Sequence, residues 1–133
     1  MSVDRPEIDG TTAAYWAGLA ESRLLGYRCR SCATFADYPR GFCPRCWSDD
    51  LDEVELSGRA TLYTYSVVHV NPMPPFRDLV PYVAALVDLE EGPRLATRLV
   101  DVDPAEVTVG MALTARFEAI DEEQGIALFG PPT

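Results

Sequence analysis

Residues 29–46 read CRSCATFADYPRGFCPRC, and this stretch decides the fold of the first part of the chain. It contains two Cys-x-x-Cys pairs separated by ten residues, whose members are Cys29, Cys32, Cys43 and Cys46. Each pair bends the backbone so that two thiolates point at one position, and two pairs complete a tetrahedral site. We therefore predict one structural Zn²⁺ bound by these four cysteines. Iron, which accepts the same four thiolates, is the alternative metal.

Four protein ligands leave no coordination position for a substrate, so the predicted metal site is structural and not catalytic. Two disulfides would require an oxidising compartment. The first twenty residues lack the basic start and apolar core of a signal peptide, and no apolar run approaches the roughly 18 residues of a membrane span. We therefore expect a cytoplasmic chain with reduced cysteines and no membrane segment.

The second part of the chain has the pattern of a small β-barrel. Residues 59–70 form a long segment rich in β-branched and aromatic side chains, and a proline-rich loop follows at 71–81. Further strands are predicted at 82–89, 94–100, 113–119 and 126–130. Five strands with a long first one favour an OB-type barrel, in which the first strand pairs on both sides. A β-sandwich is the alternative architecture.

A short helix is predicted before the cysteines, because Trp16, Leu19 and Ala20 recur at helical spacing beside Tyr15. This apolar stripe would rest either on the chain's own body or in a groove of a partner. The predicted organisation is mainly β, with an N-terminal helical segment at 1–26, a zinc ribbon at 27–48 and an OB-fold domain at 49–133. The acidic residues of 49–55 are interpreted as a solvated connection.

Charge and residue content narrow the function. The chain has 11 basic and 21 acidic residues, a net charge of −10, and every basic residue is arginine. Such a balance disfavours nucleic-acid and anionic-membrane binding. One function nevertheless stays open on the aromatic residues: a free-standing OB module that stacks the bases of single-stranded nucleic acid on Tyr63 and Tyr65. His69 is the single histidine, and no nucleophile–base set accompanies it, so no catalytic residue is predicted.

Several motifs in order resemble one known family from about residue 11 to residue 131. They are an aromatic helix at Tyr15-Trp16, the cysteine ribbon at 24–32 and 38–46, a long strand at 57–68, and three short segments at 81–84, 89–94 and 110–111. Together they resemble the zinc-ribbon and OB-fold accessory proteins associated with acyl-CoA thiolase-type enzymes, catalogued as a domain of unknown function. Members of that family have a helical segment, a rubredoxin-like ribbon and an OB barrel.

The resemblance implies a non-catalytic subunit of a thiolase-superfamily enzyme, and in particular of a lipid-transfer-protein-like retro-aldolase acting on steroid side-chain CoA thioesters. It further implies a symmetric heterotetramer with a partner dimer and, for some members, a link to a MaoC-like enoyl-CoA hydratase. The same resemblance assigns partner binding to Tyr15, Trp16 and Leu19. It assigns the lining of a shared substrate channel to four further residues: Arg40, Pro72, Phe76 and Arg77.

Overall fold

The computed structural model of the protein describes residues 12–36, 41–74, 76–121 and 124–132. Within these ranges it contains one α-helix, α1 (Ala13–Ala20), two short 3₁₀ helices and eight strands. The strands are β1 (Leu25–Cys29), β2 (Phe35–Ala36), β3 (Leu51–Glu55), β4 (Arg59–Val68), β5 (Tyr82–Leu89), β6 (Arg94–Leu99), β7 (Ala112–Ala119) and β8 (Gly125–Gly130). The described helix is too short to cross a membrane. The mainly β class is confirmed.

The ribbon is built on a three-stranded antiparallel sheet in the order β2-β1-β3. Its third strand corrects the interpretation of 49–55 as a solvated connection, because β3 pairs with β1 along its whole length. The acids are tolerated because arginines face them: Asp52 lies opposite Arg28 and is hydrogen-bonded to Arg30 at 2.7 Å. The sheet runs from residue 25 to residue 55 and thus crosses both predicted domain boundaries, at 26 and at 48.

The second unit is a closed barrel of five strands in the order β4-β5-β6-β8-β7, and β7 pairs back onto β4. Strand β4 pairs with both β5 and β7, and β6 and β8 run parallel at the closure. Both features confirm the predicted OB-type barrel and remove the sandwich alternative. The observed strand limits lie within two residues of those predicted. His69 is exposed just beyond the end of β4.

A β-bulge interrupts β4 between Leu62 and Thr64, at Tyr63. The two tyrosines proposed to stack on nucleic-acid bases have internal partners instead. The Tyr63 ring lies 3.4 Å below the guanidinium of Arg94, and the Tyr65 hydroxyl donates to the Val107 carbonyl at 3.3 Å. Arg94 thus covers one face of the Tyr63 ring, and a backbone carbonyl holds the hydroxyl of Tyr65.

Helix α1 packs directly against the barrel. Tyr15, Trp16 and Leu19 are 5%, 8% and 2% exposed and belong to the same core as Phe129 of β8. The helix approaches β8 so closely that a Cβ added at Gly125 would lie 2.7 Å from the carbonyl carbon of Leu19. The apolar stripe therefore rests on the chain's own body, the first of the two alternatives given above.

An ion pair across the barrel surface offers a test of local electrostatics. The Arg59 guanidinium donates to a Glu90 carboxylate oxygen at 2.6 Å and holds the pKa of that carboxyl below its usual value. We expect Arg59→Gln to raise the pKa of Glu90 in an NMR titration of the folded protein. Because the folded-state pKa is the lower one, the pair stabilises the fold at neutral pH and ceases to do so as Glu90 is protonated. Arg94→Gln, a control at the start of β6 whose ion-pair partner is Asp88, should leave that pKa unchanged.

Candidate metal centre and apolar groove

The two Cys-x-x-Cys pairs form two knuckles with the same backbone hydrogen bonds. The amide of Cys29 donates to the Thr34 carbonyl at 2.9 Å, and the amide of Cys43 donates to the Ser48 carbonyl at 2.7 Å. In each knuckle, the residue after the second cysteine donates back to the carbonyl of the first, also at 2.9 Å. These turns explain the spacing, because each one brings two sulfur atoms to the same side of the backbone.

The four sulfur atoms come together as the sequence predicts. The Sγ atoms of Cys29 and Cys46 are 3.5 Å apart, those of Cys32 and Cys43 are 3.6 Å apart, and all four lie within 4.8 Å of one another. A disulfide needs an S–S distance of about 2.05 Å, which excludes disulfide pairing. A tetrahedron with Zn–S bonds of about 2.3 Å has edges of about 3.8 Å, so the arrangement fits a four-coordinate ion.

The thiols differ in how readily they ionise. The Thr34 hydroxyl is the largest influence that lowers the pKa of Cys32, which falls to about 6. The Ser48 amide lowers the pKa of Cys46, but the Cys29 thiol and burial outweigh it and raise that pKa to about 12. Because a metal binds thiolates and must displace the remaining protons, its affinity is expected to increase as the pH rises.

The surroundings of the metal centre are structural in character. Cys29 and Cys43 are each 1% exposed, and no described side chain other than the four cysteines completes a metal-binding set with them. Arg30, inside the first knuckle, is bound to Asp52 and to Asp50, the latter at 3.5 Å. Arg30 therefore links the first knuckle to β3, and the four cysteines have the chemistry of a structural metal site that joins the two knuckles.

An apolar groove of about 480 Å³ lies between α1, the loop after β4 and the outer surface of the barrel. It joins two sets of residues predicted separately, because Tyr15, Trp16 and Leu19 line it together with Phe76. Most of its lining is apolar and comes from β5, β6 and β8: Tyr82, Ala84, Leu95, Ala96, Thr97, Arg98, Ile126, Ala127 and Leu128, with Leu79 and Ile120 from the loops. The groove lies where OB folds bind ligands.

The other predicted channel residues lie elsewhere. Pro72 and Arg77 are exposed on the same loop and do not belong to the lining of the groove in the described part of the chain. Arg40 lies outside the described residues. The loop is held to the barrel at Asn71, whose side-chain amide donates to the Tyr82 hydroxyl at 2.9 Å.

Ala84 and Ala96, in the lining of the groove, were not predicted as site residues. A signal for Ala84 exists in β5, whose first six residues are all apolar although every second one faces outward. A strand that is apolar on both faces is typical of one covered on both sides. The barrel interior covers one face, and the groove accounts for the apolar residues of the other.

Comparison with known proteins places both units in one family. Residues 16–52 match the model for the rubredoxin-like zinc ribbon domain of ChsH2, and residues 53–118 match the model for the C-terminal OB-fold domain of ChsH2. The four cysteines fall inside the first match and are positioned to bind a metal ion. The predicted zinc ribbon is thereby confirmed.

The relatives differ in how much of their own length matches this chain. A DUF35 domain-containing scaffold protein of Methanocaldococcus jannaschii is 41% identical over 80% of this chain and 77% of its own. The 3-oxo-4,17-pregnadiene-20-carboxyl-CoA hydratase alpha subunit of Mycobacterium tuberculosis is 36% identical over 85% of this chain but only 35% of its own. The benzoylsuccinyl-CoA thiolase subunit BbsA of Geobacter metallireducens is 34% identical over 57% of this chain and 49% of its own.

One solved structure matches nearly the whole chain. A chain of the Ltp2-ChsH2(DUF35) aldolase superimposes with a TM-score of 0.83 and is 38% identical, covering 96% of this chain and 98% of that one. The helix, the ribbon and the barrel therefore occur together in a chain that forms part of an enzyme complex.

Proposed function

Because this chain belongs to the family of DUF35 domain-containing scaffold proteins, we propose that it is a non-catalytic accessory subunit of a thiolase-superfamily enzyme acting on acyl-CoA thioesters. The observation that carries the proposal is the near-complete structural match to a chain of the Ltp2-ChsH2(DUF35) aldolase. The closed set of four cysteines supports it, since such a metal site offers no position for a substrate. The reaction then takes place on the partner.

The finer proposal is a retro-aldolase that cleaves a steroid side-chain thioester, arranged as a symmetric heterotetramer with a partner dimer. The names of an aldolase and of a pregnadiene-carboxyl-CoA hydratase subunit among the similar proteins support this reaction class. The hydratase relative also supports a link to an enoyl-CoA hydratase. The name of the thiolase subunit BbsA supports a close variant of this proposal. In that variant the partner enzyme forms or breaks a carbon–carbon bond in a different thioester.

The groove gives the accessory subunit a role at the substrate. Its apolar lining suits the acyl part of a thioester, because burying apolar surface is favourable by about 25 cal/mol per Å². The CoA phosphates are better assigned to the partner, since this chain has a net charge of −10 and no lysine. Phe76 and Trp16 then contact the acyl group from the two sides of the groove.

Co-expression with a thiolase-superfamily enzyme from the same organism tests the proposal. We expect one stable complex in size-exclusion chromatography, with two copies of each chain by light scattering, and higher turnover than that of the enzyme alone. If the two proteins elute separately and the enzyme alone is fully active, the proposal is wrong.

Filling the groove tests its role separately. Ala96 is exposed and lines the groove, so Ala96→Phe is expected to leave the fold and the complex intact. Turnover of a bulky polycyclic thioester should fall at least tenfold, while turnover of a short acyl thioester stays within twofold. Ala112→Phe, at an exposed strand alanine away from the groove, is the matched control. Equal loss with both thioesters would mean that the groove does not receive the acyl group.

A further inference from the structure

The two knuckles have the same backbone hydrogen bonds but differ in side-chain size at the residue after the second cysteine. In each, the residue after the second cysteine is left-handed: Ala33 has a φ of 63° and Trp47 has a φ of 68°. Glycine adopts this conformation freely, whereas a bulky side chain there is strained. The first knuckle has a small residue at this position and the second has the largest one. The backbone therefore does not explain why residue 47 is tryptophan.

Packing inside the chain does not explain it either. The Trp47 side chain is 74% exposed, the most exposed of the aromatic side chains in the described residues. Its main contact is with Phe42, itself 41% exposed, whose ring is parallel to the indole at a centroid distance of 4.9 Å and an angle of 8°. The other tryptophan, Trp16, is 8% exposed. The stacked pair of Phe42 and Trp47 is thus an apolar projection that the monomer leaves in water.

The backbone that carries the projection is fixed on both sides. Phe42 directly precedes Cys43 and Trp47 directly follows Cys46, so the pair flanks two of the four metal ligands. The amide of Trp47 is also fixed by a hydrogen bond to the Cys43 carbonyl at 2.9 Å. A preorganised aromatic group loses little conformational freedom on binding, which is why such groups contribute strongly to interfaces.

The knuckle that carries the projection also carries a positive charge. Arg45 lies in the same knuckle and is exposed, and within the described part of the chain its guanidinium forms no ion pair. Arg30, the arginine of the first knuckle, is bound by Asp50 and Asp52. In a chain of net charge −10, an unpaired arginine beside exposed aromatic rings marks a surface suited to an acidic partner.

We infer that the stacked pair of Phe42 and Trp47 is the anchor by which this subunit docks on its enzyme. The occupant is a folded thiolase-superfamily partner with an apolar pocket that receives the indole and a carboxylate at the pocket rim that pairs with Arg45. The inference rests on the proposed function and adds to it a surface distinct from the groove. Self-association through the pair is the competing occupant.

Labelling this chain with 5-fluorotryptophan before mixing it with its unlabelled thiolase-superfamily partner enzyme tests the inference. The chain has two tryptophans, so it gives two ¹⁹F resonances, which Trp47→Phe assigns. On binding, we expect the Trp47 resonance to shift and to become protected from solvent, while that of Trp16 stays in place. Trp47→Gly, which relieves the backbone strain, should retain zinc and its unfolding temperature yet bind the enzyme at least tenfold more weakly. Arg45→Glu should weaken binding most at low salt.

Val109→Ala, at a 60% exposed side chain outside the ribbon, is the control and should bind normally. Normal binding by Trp47→Gly, with an unshifted Trp47 resonance in the wild-type complex, would overturn the inference and leave the proposed function standing. No binding by the wild-type chain would overturn both. A Trp47 resonance that shifts with the concentration of this chain alone would assign the pair to self-association and overturn the inference.

Discussion

Replacing Cys43 by serine is expected to abolish tight zinc binding and unfold the ribbon while the barrel stays closed. Cys43 is 1% exposed and contributes to the centre from the second knuckle, so its loss leaves three ligands around a metal that requires four. Zinc contributes about 10–16 kcal/mol of apparent binding energy in small ribbons and fingers, and that energy is folding energy. The barrel has its own closed hydrogen-bond network, which does not pass through the ribbon sheet.

The readouts separate the two units. Metal analysis should show zinc lost, and amide exchange should accelerate in β1–β3 while β4–β8 remain protected. Binding to the partner enzyme should fall, with the chemical step unchanged at saturating concentrations of the variant. Pro44→Ala, at an exposed non-ligand position between the same two cysteines, should retain zinc. Turnover destroyed in an intact complex would contradict the structural role of the metal.

Gly125→Ala is expected to displace helix α1 from the barrel. The new methyl group would lie 2.7 Å from the carbonyl carbon and oxygen of Leu19, and backbone atoms at that distance cannot yield without moving the helix. Overpacking of this kind typically costs about 1–3 kcal/mol, and the cost falls on an interface that contains Tyr15 and Trp16. Urea unfolding should show the loss as a lower midpoint.

Fluorescence locates the effect. In a Trp47→Phe background, Trp16 is the one remaining tryptophan, and its emission should shift to longer wavelength as the indole enters water. Gly41→Ala is the matched control, because a Cβ at that position meets no described atom within 4 Å. The opposite result is the same urea midpoint for Gly125→Ala as for Gly41→Ala, with an unshifted Trp16 emission. That result would contradict the prediction that the close approach of helix α1 and strand β8 contributes to stability.

The features that the sequence predicts correctly are those whose pattern lies in residues close together in the chain. The cysteine spacing predicts the metal centre, and β-branched runs between turn residues predict the barrel strands to within two residues. Strand β3 was missed because its acids look solvated until their partners are known. Those partners, Arg23, Arg28 and Arg30, precede it by more than twenty residues, and only the sheet register brings them opposite.

The groove required tertiary structure. Tyr15 and Phe76 come from opposite sides of the ribbon in sequence, and their common wall is made of strand residues whose outward orientation depends on the barrel closing. The partner-binding role predicted for Tyr15, Trp16 and Leu19 stays a prediction. It now concerns only the parts of these side chains that line the groove. The difference in side-chain size between Ala33 and Trp47, however, is visible in the sequence once the two knuckles are aligned on their cysteines.

The packing of α1 against β8 also bears on how the chain folds during synthesis. The helix is made long before the strand that covers it, and at translation rates of about 5–20 residues per second the interval lasts several seconds. During that time Tyr15, Trp16 and Leu19 have no barrel to rest on, whereas the ribbon is complete once β3 emerges and zinc binds. The metal site therefore orders a nascent chain whose first helix still awaits the last strand. Shortage of zinc should then appear first as aggregation of newly made chains, before any loss from folded ones.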